Sequence, residues 1–82
     1  MRLAIPTVHL NGTSRDDLVE QIALAIHALH EAGRALAGTC PNGRDYYTQG
    51  PAAISKALEE HEARMRKVRE VIAELETIGE AI

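Results

Sequence analysis

From residue 51 onward the apolar positions fall at Ile54, Leu58, Met65, Val68, Ile72, Leu75 and Ile82, and His61 and Gly79 complete an unbroken alternation of steps of four and three. A repeat averaging 3.5 residues keeps one stripe of a helix against a neighbouring helix. The pattern therefore predicts one long amphipathic helix over residues 51–80, roughly 45 Å in length at 1.5 Å per residue. A second series, Leu18, Ile22, Ala25, Leu29, Ala32 and Leu36, steps in the same way, and Val19, Ala23 and Ile26 widen it. A stripe that broad contacts more than one neighbour, so the first helix is expected to pack on its hairpin partner and on a helix of a second subunit.

Local chemistry sets the limits of these helices. Asn11-Gly12 is a turn signal, Thr13 and Ser14 are candidate N-caps, and Asp16 and Asp17 follow three residues on, as in a capping box. Gly38 is the expected stop of the first helix, with Gly33 an earlier weak point, and Gly50-Pro51 suits the start of the second. Residues 1–12 alternate loosely around Pro6 and read as an extended arm or edge strand. The expected fold class is all-α: an antiparallel helical hairpin (helix 14–37, loop 38–50, helix 51–80) with an extended N-terminal arm. It forms one domain over residues 1–82, assembling into a dimeric or higher helical bundle.

Composition supports that reading. The chain has no Phe or Trp, and its apolar content is mostly Ala, Leu and Ile, which suits helix-on-helix packing. Eighty-two residues is near the size at which one core supplies only a few kcal/mol, so a homo-oligomer is expected. The formal net charge of −3 argues against a nucleic-acid grip or an anionic membrane surface. The single cysteine, Cys40, has no internal partner for a disulfide, and the sequence shows neither a signal peptide nor a membrane-spanning run. Those features predict a soluble, cytoplasmic protein.

The loop carries the best cue for binding. Arg44, Asp45, Tyr46 and Tyr47 stand together, flanked by Asn42, Thr48 and Gln49, and the two tyrosines are the only aromatic residues in the chain. An aromatic face stacks on a ring while Arg grips an anion, so Asn42, Arg44, Asp45, Tyr46, Tyr47 and Gln49 are the candidate ligand contacts. The plain alternative is that a tyrosine plugs the end of the hairpin and Arg44 pairs with Asp45. Arg66 and Arg69, three apart on one face, are further candidate anion contacts, although Glu60–Arg64 and Glu62–Arg66 read as ordinary i,i+4 pairs on a solvated face. His27, His30 and Glu31 lack the spacing of a metal motif, His61 reads as a polar seam residue that sets register, and no cofactor is expected. Cys40 has no base or orienting group assigned by sequence, and phosphate-binding and nucleotide fingerprints are absent, so the reading is not an enzyme.

The run Pro41-Asn42-Gly43-Arg44-Asp45-Tyr46-Tyr47 with Gln49-Gly50, followed by Glu60-His61-Glu62-Ala63-Arg64, resembles small helical proteins of tailed phages and prophages, from about Leu10 to the C-terminus. The resemblance implies a phage protein in the host cytoplasm, a setting in which small helical oligomers bind host factors or sequester nucleotide signals in anti-defence. The expected function is a non-enzymatic binding protein that captures an anionic small molecule, such as a nucleotide, through the loop. The alternative is a protein–protein interaction module, docking on a host or phage protein, or a structural phage component.

Overall fold

The computed structural model describes residues 2–82; Met1, counted in the expected arm, lies outside the described residues. Two helices make up the body, α1 over Arg15–Ala37 and α2 over Pro51–Ala81. The connection contains two single-turn 3-10 helices, Gly43–Asp45 and Tyr47–Gln49. The hairpin is all-helical, with no strand among the described residues.

The ends of the helices follow from side-chain chemistry. Ser14 is the N-cap of α1, its Oγ accepting from the Asp17 N–H at 3.2 Å, while Asp16 and Asp17 place negative charge at the positive end of the helix dipole. Gly38 ends α1 but in right-handed geometry (φ −66°), so it is not the left-handed stop that glycine usually supplies. Instead its N–H bonds to the carbonyl of Ala35 at 3.1 Å, and Thr39 donates to Leu36 O with both its N–H, at 2.9 Å, and its hydroxyl, at 2.7 Å. Gly33 does not interrupt α1, because it lies against α2, where an added methyl would meet Val68 Cγ1 at 3.8 Å. Gly50 (φ 99°) occupies a conformation that side chains rarely adopt, and it turns the chain into Pro51 at the start of α2.

The register of the hairpin governs everything else. Gly33 faces Val68 and Gly79 faces Ile22, which fixes one antiparallel alignment over the whole overlap. Carried to the ends, it sets Ala37 level with Arg64 and brings the start of α1 past the C-terminus, where Arg15 Nε donates to the Ile82 carbonyl at 3.4 Å. The two helices therefore differ in reach: α1 has 23 residues and α2 has 31, and the first 13 residues of α2, about 20 Å, project beyond α1. The seam of α2 therefore meets α1 over only part of its length.

Burial is sparse along the hairpin. Among the described residues only Ala57, His61 and Ile72 are buried, and no residue of α1 is. Leu58, expected in the seam, is 43% exposed, whereas Ala57 beside it is buried. The reason is the overhang: there the stripe of α2 meets the connector in place of a helix, and the connector lies to the Ala57 side. The arm forms no strand; Leu3 is half-buried and lines a shallow groove on the outside of α2 with Ala73 and Thr77, where small side chains leave room. Its turn closes through the Gly12 N–H bonding to His9 O at 3.1 Å, with the His9 imidazole folded over Gly12. The particle measures 62 × 24 × 16 Å.

Candidate functional site

The connector over residues 38–50 runs along the projecting part of α2, a distance no short hairpin loop spans. Its backbone is held by its own residues. Asn42 Oδ1 accepts from the Arg44 N–H at 3.0 Å, capping the first 3-10 turn, and the Asp45 N–H bonds to Asn42 O at 3.0 Å. The Gln49 N–H to Tyr46 O bond, 2.9 Å, closes the second turn, and that turn packs against the beginning of α2. Asn42 and Gln49, expected as ligand contacts, thus also have structural duties: one caps a turn with its side chain and the other closes one with its backbone.

The two tyrosines separate at the junction between the turns. Tyr46 is half-buried, and with Pro41 it faces the molecule. Tyr47 is 76% exposed. Arg44 and Asp45 are exposed as well, and among the described residues neither makes an ion pair, so the simple Arg44–Asp45 pairing is not formed. A guanidinium free to bind and an open phenol ring therefore stand three residues apart on an ordered, hydrogen-bonded segment. That pairing can grip an anionic group beside a flat or apolar surface.

Arg66 and Arg69 are not part of that surface. Arg66 is level with Ala35 of α1, on the stretch of α2 beyond the part that the connector follows. Arg69 is already engaged, donating to Glu62 Oε1 at 2.7 Å across two turns. Arg69, by this hydrogen bond and its charge, holds the Glu62 carboxyl below its ordinary value of 4.5, with smaller help from the charges of Arg66 and His61. The i,i+4 pairs read from the sequence, Glu60–Arg64 and Glu62–Arg66, are not within ion-pair distance. Glu31 bonds Arg34 on the surface of α1, and that bond likewise lowers the Glu31 carboxyl.

His61 is 8% exposed and its Nδ1 has no hydrogen-bond partner; the register sets it level with Cys40, at the turn that ends α1. Cys40 is exposed. Among the described residues no three His, Cys, Asp or Glu side chains gather as a metal site, and no helix is long and apolar enough to cross a membrane. The feature that sequence reasoning missed is a groove along one face of the hairpin, about 500 Å³, floored by Leu29, Met65, Val68 and Ile72 and edged by Arg34 and Arg69. Its floor belongs to the two apolar stripes, but the charges on its rim have no periodicity of their own. Compared with protein families, with characterised proteins and with solved structures, the chain matches none.

Proposed function

We propose that this chain is a non-enzymatic binding protein, working as a homo-oligomer, that docks through its connector onto a protein surface presenting a carboxylate beside an apolar patch. The observation that carries this reading is the pair formed by Tyr47, 76% exposed, and Arg44, without an ion-pair partner, on backbone fixed by two 3-10 turns. Tyr and Arg are the side chains that most often anchor protein interfaces, and a rigid segment loses little entropy when it docks. The connector is an open surface, with Tyr46 its only half-buried member between residues 42 and 49, which favours a protein partner over an enclosed ligand.

A second reading keeps the adjacency of guanidinium and ring but assigns it to a small anion such as a nucleotide, with phosphate on Arg44 and base on Tyr47. A nucleotide bound only by the folded protein raises its melting temperature in proportion to occupancy. Titration of a nucleotide panel therefore separates the two. A rise lost in both Arg44→Ala and Tyr47→Ala supports nucleotide capture. No rise, with a protein captured from host lysate by the parent but by neither variant, supports docking. Capture that survives both substitutions removes the connector from the function altogether.

A further inference from the structure

We infer that the grooved face of the hairpin is a self-complementary interface, closed by an antiparallel second copy of this chain across a two-fold axis near Leu29 and Ile72. The inference rests on the homo-oligomer reading above and specifies its face, symmetry and charge register. Two grooves, one edged by Arg34 and Arg69 and the other by Glu76 and Glu80, lie on the same face and share Glu76, so they form one trough about 27 Å long between Val19 and Ala37. Its floor is apolar. On its rim Arg34 and Arg69, each bonded to a carboxylate of its own helix, stand toward the connector, and Glu76 and Glu80, outside any ion pair among the described residues, stand toward the free ends of the hairpin.

The hairpin register makes this division symmetric. Arg69 and Glu76 stand equally far, on either side, from the level of Leu29 and Ile72, to within one residue. Rotating a second copy by a half turn about that centre lays α2 along the partner's α2 and sets Arg69 against the partner's Glu76, a contact that occurs twice, as an isologous interface requires. A parallel copy would oppose like charges instead. The four helices then pack as a bundle, with the apolar floors of the two troughs forming the core.

Exposed area agrees with a covered face. The chain exposes 6280 Å², whereas a compact monomer of 8.9 kDa exposes about 4,800 Å². The excess of about 1,500 Å² is larger than the 800 Å² or so that a standard interface removes from each partner.

The test uses Arg69→Glu and Glu76→Arg, alone and mixed, with sedimentation and helical circular dichroism as readouts. Wild type sediments as a dimer, and each variant alone opposes like charges and dimerises at least about tenfold more weakly. Mixing the two variants restores association, because every contact in the mixed dimer then joins opposite charges, an outcome that rearrangement within one chain does not produce. Arg69→Asp with Glu76→Lys gives the same test should either first variant lose its helical signal, and Leu24→Glu, outside the trough, leaves association unchanged. A wild-type monomer overturns both this interface and the homo-oligomer reading. A dimer indifferent to the swaps, or variants that fail to combine, overturns this interface alone.

Discussion

Replacing His61 with Leu tests how the overhang is stabilised. His61 is 8% exposed, and its Nδ1 is buried without a partner. Leaving a buried polar group unsatisfied costs about 1–3 kcal/mol, and Leu, close to His in volume, removes that cost and adds apolar contact without opening a cavity. Loss of whatever the other face of the ring contributes offsets part of the gain, so the expected net effect is a stabilisation of about 1 kcal/mol. In a domain of this size that raises the melting temperature by about 4–8 °C. His61→Ala separates polarity from volume, since it removes the orphan nitrogen but leaves a void, and it is expected to melt below the Leu variant. The assay is thermal unfolding at one fixed protein concentration, because association makes the midpoint concentration-dependent. Sedimentation of the Leu variant shows whether the polar group also restricts the choice of partner geometry, as polar residues in helical seams do. A Leu variant that melts lower than wild type refutes the reasoning, since it means Nδ1 is satisfied and the imidazole is a net stabiliser.

Tyr47→Ala is expected to cost under about 1 kcal/mol, as an exposed side chain does, while Tyr46→Ala costs more; equal losses in chemical denaturation would contradict the in-and-out arrangement of the pair. Gly33→Ala is expected to stabilise by about 0.5–1 kcal/mol, because a methyl there meets Val68 at an ordinary 3.8 Å and the helix interior gains a better helix former. Gly50→Ala does the opposite, destabilising by about 1–2 kcal/mol through its φ of 99°, and the same denaturation series measures both. Arg69 and Glu62 add a small acid dependence: the folded Glu62 carboxyl lies below its ordinary 4.5, so its contribution is present above that pH and is lost as pH falls through the folded value. Melting against pH for Glu62→Gln is therefore expected to show a shallower acid slope than wild type, and an unchanged slope would mean the pair contributes nothing.

What was legible in the sequence is what local chemistry decides. Ser14 with Asp17, Gly38, and Gly50-Pro51 each mark a helix end through a bond or a backbone preference that a few residues contain, and the limits they give hold to within a residue. Periodicity also identified which face of each helix turns inward. It carries no information about level, however, because a stripe of steps of four and three looks the same after sliding by a heptad. Hence the overhang was not readable, and neither was the exchange of Leu58 for Ala57 in the buried set. Ion pairing failed for a related reason: Glu62 reaches Arg69, seven residues on, past the nearer Arg66, because long side chains on one face have several partners of similar energy. In the connector, composition pointed to Arg44 and the tyrosines, yet only the break between two 3-10 turns decides that Tyr46 faces in and Tyr47 out.

The length of the connector follows from the same register. Crossing about 20 Å takes six or seven extended residues, so a chain needing only to link the helices would use half of the 13 present. The others are folded into turns, which converts a tether into a cover. Nothing of α1 reaches Ala57, yet it is buried, and its cover is therefore the connector. Covering occupies one side only. A segment that lies over a single helix keeps its other side in water, and here that side carries Arg44, Asp45 and Tyr47. The structural and the recognition readings of the tyrosines are thus not rivals for the whole loop: Tyr46 answers to the first and Tyr47 is left for the second. Shortening the connector would shift the helix register before it removed the outer surface, so point substitutions at the exposed positions, and not deletions, are the clean way to ask what that surface binds.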